Sequence, residues 1–448
     1  MRNGLLKNTL QINPGKHFSY LVSGGRNVRI VYVLLDGIGD LPNPDLNGST
    51  PLEAAKTPNL DLIAKNGCMG NVISVGKGIA PQSDIAVFNM LGYQFNGDYV
   101  GRGIIETIGC DMKFSTGDLA LRGNFATIDC HNSILDRRAG RDVSKNESDQ
   151  MCKFIEKNIT FSDPNVAVKL VPTISHRLNV LFKHRKIKLS DKITNTDPAY
   201  GKLNGIGIAK KNQTDLKLLQ CFPEDGSDNA IFSAKIVNEF TEQCKTLMKD
   251  HPINLRRADR GTSAMNMILL RDPGNSTPSL EKIDSKYGIK TACIVDMPVE
   301  IGISRVLGMK AYISEKPSDY VSKAKLAAKL LNEFNLVYVH IKGPDEFGHD
   351  GDPNGKKSNI EQIDKDFFGV FLKNSDFHQN VFVITGDHST PCTMKAHTDD
   401  PIPLLISGKA IQSDGTVRFT EQCASKGSLG TILGAQVIPI VLKNFKSC

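Results

Sequence analysis

Seven residues carry side chains suited to hard divalent cations or, in one case, to nucleophilic attack as an alkoxide. They are Asp36, Ser83, Asp345, His349, Asp387, His388 and His397. Six offer carboxylate or imidazole donors, which suit zinc, manganese, cobalt or magnesium rather than thiolate-preferring metals. Asp345 and His349 are four residues apart, beside Gly343 and Gly348. Asp387 and His388 are consecutive, so in an extended segment they point apart and can serve two ions. Two ions about 3.5–4 Å apart are the common device of phosphoryl chemistry. Ser83 follows Pro81-Gln82 and precedes Asp84 and the apolar Ala86-Val87-Phe88, a pattern that starts a helix near the serine. A serine there sits in positive potential, and a cation beside it lowers its pKa further. Taken singly, an N-cap serine or an Asp that satisfies a loop is the commoner use of each residue. Taken together, at the ends of successive apolar runs, they read as one site.

The elements that must hold them are short β-branched runs that end in polar or glycine-containing loops. Val28–Leu35 leads to Asp36, Thr291–Val295 to Asp296, Leu336–Ile341 to Asp345, Val381–Thr385 to Asp387, and Ile402–Ile406 to Gly408. Continuous apolar runs of this length predict strands buried on both faces, hence a parallel sheet. Helical patterns alternate with them. Thr57-Pro58 opens one, Val321, Ala324, Ala328, Leu331 and Phe334 line the face of another, and Ser358 with Glu361 forms a capping box for a third. The alternation predicts a doubly wound α/β layer with its site outside the carboxyl ends of the strands.

Residues 109–279 read differently, with shorter patterns, polar loops such as Lys210–Thr214 and many arginines. They predict an α+β substrate domain inserted into a core of residues 1–108 and 280–448, with glycines 97, 101, 103 and 109 as a hinge. The 448 residues carry a net charge of +7 without a dense basic block, which argues against nucleic-acid binding and suits a small anionic substrate. The short first apolar run, broken by Asn, Lys and Gly, predicts no secretory leader, and no run is long enough to span a membrane. Ten scattered cysteines form no Cys-x-x-Cys pair, which predicts free thiols and a cytoplasmic location.

At the level of motifs the chain resembles the archaeal-type cofactor-independent phosphoglycerate mutases of the alkaline phosphatase superfamily. The resemblance rests on Leu35-Asp36-Gly37-Ile38-Gly39-Asp40, Pro81-Gln82-Ser83-Asp84-Ile85-Ala86 and Gly101-Arg102-Gly103 with Glu106 and Gly109. It continues through Lys342-Gly343-Pro344-Asp345-Glu346-Phe347-Gly348-His349-Asp350-Gly351-Asp352, Thr385-Gly386-Asp387-His388-Ser389-Thr390-Pro391-Cys392, His397 and Asp400-Pro401. It implies an alkaline-phosphatase-like core and interconversion of 3- and 2-phosphoglycerate without 2,3-bisphosphoglycerate. It also implies two divalent ions, manganese first, with magnesium, cobalt or zinc as alternatives. One ion would be held by Asp345, His349 and His397, the other by Asp36, Ser83, Asp387 and His388, with Ser83 carrying phosphate as phosphoserine.

In the insert, Asp136-Arg137-Arg138-Ala139-Gly140-Arg141, Ile174-Ser175-His176-Arg177, Thr196-Asp197-Pro198 and His251-Pro252-Ile253-Asn254 with Arg257 resemble further segments of the family. Guanidinium forks match carboxylate and phosphate oxygens, so Arg137, Arg138, Arg141, His176, Arg177 and Arg257 are candidate phosphoglycerate contacts. His176 or Asp142 is a candidate acid/base. Two departures stand out. The family pattern implies a lysine where this chain has Ile301 after Glu300, and Arg271-Asp272-Pro273-Gly274 is unusual. They keep two other readings open: a metal-dependent phosphatase or phosphotransferase for another small phosphate ester, and a catalytically silent metabolite-binding relative.

Overall fold

The computed structural model describes residues 28–95, 99–203, 206–209, 216–314 and 316–444. The first apolar run, Gly97, the Lys210–Thr214 stretch and Cys448 lie outside the described residues. The strands in chain order are β1 (Arg29–Leu35), β2 (Gly67–Ile73), β3 (Leu119–Ile128), β4 (Ile134–Asp136), β5 (Val166–Pro172), β6 (Arg177–His184), β7 (Tyr200–Leu203), β8 (Ile206–Ala209), β9 (Met267–Gly274), β10 (Thr291–Val295), β11 (Lys310–Ile313), β12 (Leu336–Ile341), β13 (Asn380–Gly386), β14 (Ile402–Gly408) and β15 (Gly430–Leu433).

Eight of them form one sheet in the order β11-β10-β12-β1-β13-β14-β2-β15. Its first five strands are mutually parallel. The inward side chains of β1 alternate between two cores, because side chains of a strand point to opposite faces in turn. Val31, Val33 and Leu35 pack with helices Tyr320–Leu330 and Pro353–Ile363. Ile30, Tyr32 and Leu34 pack with helices Ser83–Met90, Pro298–Leu307 and Val437–Asn444. Helices therefore cover both faces, and each fully buried aliphatic side chain contributes roughly 1.5–3 kcal/mol. The sheet is the doubly wound, mostly parallel one that the strand–helix alternation predicts.

Local expectations fare unevenly. The run 402–406 is antiparallel to both neighbours, β13 and β2. Burial on both faces makes a run continuously apolar, whatever its direction. Thr57 is the N-cap of helix Pro58–Lys65, but its side chain makes no capping bond. Ser358 and Glu361 lie inside helix Pro353–Ile363, which starts earlier, with Asp352 accepting from the Gly355 N–H. The Asp345–His349 segment is not a loop: it is helix Pro344–Asp350.

A second, antiparallel sheet has β3 at its centre, paired with β6, β9 and β4, with β5 outside β6. It packs on helices Lys145–Asn158 and Asp228–Lys249 around its own apolar cluster. Helix Arg102–Gly109 lies between the two sheets, and its glycines Gly103 and Gly109 are close packing positions. A Cβ on Gly103 would lie 2.5 Å from the Asp272 carbonyl oxygen, and one on Gly109 would lie 1.8 Å from that of Pro298. Its partner Gly302 would meet Ile105 O at 1.9 Å. No helix among the described residues is long and apolar enough to cross a membrane, and the nine cysteines among them are free.

Candidate active site

Strands β12, β1 and β13 are neighbours, and their register aligns Leu35 with both Ile341 and Gly386. One residue further on, Asp36, Lys342 and Asp387 stand level at the carboxyl edge of the sheet. This is where an open parallel sheet leaves a crevice. Helix Pro344–Asp350 then places Asp345 and His349 one turn apart on one face. Ser83 is the first residue of its helix, with Gln82 as N-cap, so its hydroxyl is not a cap.

The histidines are arranged alike. His397 Nδ1 donates to Pro81 O at 2.7 Å, and His349 Nδ1 donates to Lys395 O at 3.1 Å. Thr390 gives its only proton to Asp345 Oδ1 at 2.6 Å, so it accepts from His388 Nδ1 at 3.0 Å. All three rings therefore offer Nε2 as the coordinating atom, the arrangement that outer partners impose on metal-binding histidines.

Donors about 2.1 Å from a four-coordinate ion lie roughly 3.4 Å from one another. Asp345 Oδ1 is 3.4 Å from His397 Nε2 and 3.6 Å from His349 Nε2. His388 Nε2 is 3.4 Å from Asp387 Oδ2, 3.5 Å from Asp36 Oδ1 and 3.2 Å from Ser83 Oγ. Asp36 Oδ1 and Asp387 Oδ2 are buried without a hydrogen-bond partner. The residues fit two cations. Mutual distance alone groups Asp345 with His388 and His397, and Asp36 with His340 and Asp387. His388 Nδ1 is 4.0 Å from Asp345 and already engaged by Thr390, whereas its Nε2 faces Asp36, Asp387 and Ser83.

Electrostatics agree with a need for positive charge. Burial and the facing Asp36 push Asp387 well above the usual carboxylate range. Burial alone would raise Asp36 too, but Lys342, with Nζ 2.9 Å from Oδ2, holds it low. Burial opposes charge on His397, yet Asp345 raises it to about 9, a proton where a cation would bind. Ile301 packs into the apolar core and does not face the site. Glu300 does, with Oε1 2.6 Å from Lys342 Nζ.

Next to Ser83 lies a nest of buried arginines. Arg102 reaches Gln82 Oε1 at 3.5 Å, Asp84 at 3.8 Å and Glu106 at 2.8 Å. Arg122 joins Glu106 at 3.1 Å to Asp272 at 3.0 Å. The bulge at 271–274, with Asp272 at φ 56°, is what turns that carboxylate inward. Arg137 forks onto Asp197, and Arg271 reaches Asp197 at 3.3 Å; both lie over the Tyr200 ring. Arg177 has no ion-pair partner among the described residues; burial, then Arg122 and Arg102, depress its pKa. Burial, Arg177 and Arg271 push His176 down to about 3, so it stands neutral.

The remaining candidates sit elsewhere or are engaged. Arg141 reaches across to Asp350 at 3.3 Å, on the helix that carries His349. Arg138 is half-buried, and its backbone N–H donates to Asp136. Arg257 is fully buried and bound to Ser263 O, Ala139 O, Glu147 and Asp142. It ties Ala139 and Asp142 to Glu147 at the start of helix Lys145–Asn158 and occupies Asp142, away from the nest. Arg122 and His340 went unnoticed in the sequence, and Arg102, Arg271 and Glu300 stood out there only as motif residues or departures, not as site residues. For His340 a signal existed: Tyr338, His340 and Lys342 alternate along an apolar run, so all three point to one face.

Glu106 bears on stability. Burial opposes its charge, but Arg122 and Arg102 hold its pKa at about 2 instead of 4.5. A lowered pKa contributes stability above pH 4.5 that is lost as pH falls toward 2, on the order of 3 kcal/mol. Glu106→Gln should be less stable at pH 7 and show a flatter fall in unfolding free energy between pH 4.5 and 2, checked by urea melts across that range.

The model for 2,3-bisphosphoglycerate-independent phosphoglycerate mutase matches residues 64–254. A protein of that description from Aeropyrum pernix is 38% identical over 430 residues, covering 93% of this chain and 99% of the relative. One from Ignicoccus hospitalis is 34% identical, covering 93% and 97%. A solved protein from Pyrococcus horikoshii superposes with a TM-score of 0.74 at 29% identity, covering 94% of this chain and 98% of that one. The cofactor-independent phosphoglycerate mutase of Thermoplasma acidophilum superposes with a TM-score of 0.60 at 28% identity, covering 93% and 99%.

Proposed function

The chain belongs to the 2,3-bisphosphoglycerate-independent phosphoglycerate mutases, and from that premise we infer that it interconverts 3-phosphoglycerate and 2-phosphoglycerate by the route below. Asp345, His349 and His397 would hold one divalent cation, and Asp36, Asp387, His388 and Ser83 the other. Mixed oxygen and imidazole donors suit manganese, with cobalt, zinc and magnesium as alternatives. Bound there, the cations lower the Ser83 pKa and neutralise charge on the phosphoryl oxygens.

Ser83 Oγ attacks phosphorus, the bond from phosphorus to the substrate oxygen breaks, and the freed glycerate oxygen takes up a proton. The other glycerate hydroxyl then loses a proton and attacks the phosphoserine, which returns the phosphoryl group at the new position. Arg177, unpaired and next to Arg102 and Arg122, holds the anionic acid between the two steps. His176 is a weak base in the empty nest. An anion beside Arg177 offsets the guanidinium charge that depresses it and brings it nearer a useful pKa. We assign residues 109–279 to the cap that keeps water out and 1–108 with 280–448 to the metal-binding core. The reaction is a step of glycolysis and gluconeogenesis, and free thiols agree with a cytoplasmic setting.

The observation that supports this reading most is the convergence of three Nε2 lone pairs and three carboxylates, with Ser83 Oγ 3.2 Å from His388 Nε2. The test is an assay from 3-phosphoglycerate with manganese and no 2,3-bisphosphoglycerate, scored for both isomer exchange and free phosphate. Phosphate release without exchange would make the chain a phosphatase. Arg177→Gln should raise KM at least about tenfold, as loss of a charge-assisted contact does, with the fold unchanged by circular dichroism. An unchanged KM would remove Arg177 from the substrate site.

A further inference from the structure

His340 is fully buried on β12, one strand from Asp36 and two from Asp387. Its Nε2 has no hydrogen-bond partner and faces Asp36 Oδ1 at 3.9 Å and Asp387 Oδ2 at 3.8 Å, two oxygens that also lack partners. Three buried orphan atoms that point into one gap cost several kcal/mol together unless something binds there. Protein groups do not fill the role. Lys342 Nζ reaches the other oxygen of Asp36, and His388 contacts the same two carboxylates from the Ser83 side.

We propose that His340 Nε2 is a further ligand of the cation held by Asp36 and Asp387, and that Glu300 fixes the ring in the tautomer this requires. The inference rests on the reading that those carboxylates bind a cation. Donors bound to one ion by bonds of about 2.1 Å can be no more than roughly 4.2 Å apart. The separations of 3.8 and 3.9 Å lie inside that limit. On the opposite edge of the ring, Nδ1 lies 3.0 Å from the Tyr338 hydroxyl and 3.5 Å from Glu300 Oε1. A carboxylate only accepts, and a phenol can accept, so a proton on Nδ1 satisfies both and leaves Nε2 as a lone pair. Lys342, 2.6 Å from Glu300 Oε1, holds that carboxylate in place.

Two imidazoles on one ion shift preference toward cobalt, zinc and manganese and away from magnesium, which favours oxygen. Glu300 stands directly before Ile301, where the family pattern implies lysine, so this chain has a carboxylate beside the centre in the stretch that would otherwise carry an ammonium.

The full chain, stripped of metal, would be titrated with Co(II) by calorimetry and followed by its visible spectrum. Wild type should take up two ions. His340→Gln should weaken one of them at least tenfold and change its d–d bands while leaving the other unchanged. Glu300→Gln should weaken the same ion too, by a smaller factor than His340→Gln does. Both Co(II) affinities unchanged in His340→Gln would overturn the proposal. Should that variant not fold, pulsed EPR of Asp345→Asn protein with one Mn(II) and 15N-histidine counts the imidazoles directly. Two are expected, and one overturns the proposal. A wild type that binds no ion, or Asp387→Asn that retains both, would instead defeat the parent reading of the site.

Discussion

Ser83→Ala protein is expected to lose exchange of phosphate between the two positions by at least about 10⁴-fold, the scale on which removal of a covalent nucleophile acts. Metal binding and folding should persist, because Ser83 contributes one donor among several and its hydroxyl does not cap its helix. Substrate binding should persist too, since the arginine nest is untouched. The measurement is a steady-state assay from each isomer, paired with an acid quench of wild type given substrate labelled in the phosphoryl group. Acid-stable label on the peptide containing Ser83, absent from the alanine variant, is the expected result. An alanine variant that exchanges at the wild-type rate removes the phosphoserine route altogether.

Asp345→Asn should be nearly as damaging, by about 10³-fold or more, for a different reason. Asp345 Oδ1 is where His397, His349 and Thr390 meet. An amide keeps the shape and still accepts from Thr390, but it is a poor ligand for a hard cation. Metal analysis should fall from two ions to one. Stabilisation by ligand follows mass action, so saturating manganese should raise the melting temperature of the variant less than that of wild type. Two tightly bound ions in Asp345→Asn, or full activity with one, would contradict the assignment of that residue to the first ion.

Much of this centre was legible in the sequence because parallel strands announce themselves. Asp36 and Asp387 each follow a continuous apolar run, and the sheet register then brings them level without further information. Ser83 was legible from the turn and apolar run around it. Strand direction was not, since the run 402–406 is buried on both faces whether it runs with its neighbours or against them. Helix starts were misread at Ser358, where Asp352 and Pro353 compete for the same role several residues earlier. The arginine nest was hardest. Arg257 looked like Arg177, yet one is spent on internal carbonyls and carboxylates while the other has no ion-pair partner among the described residues and sits beside Arg122, Arg102 and Glu106. Partners that come from across the fold decide such roles, and spacing along the chain does not encode them. His340 was hidden for a related reason: a histidine inside an apolar strand is ordinarily a satisfied core residue.

The helix Arg102–Gly109 touches the second sheet through Gly103 and the core through Gly109, in both cases backbone against backbone. Main-chain contacts do not relax by rotamer changes, so this helix works as a fixed spacer between the core that carries Ser83 and the guanidinium groups of the second sheet. The interval it sets is a gauge of molecular length. An acid one carbon longer or shorter than the three-carbon substrate would engage one end or the other, but not both.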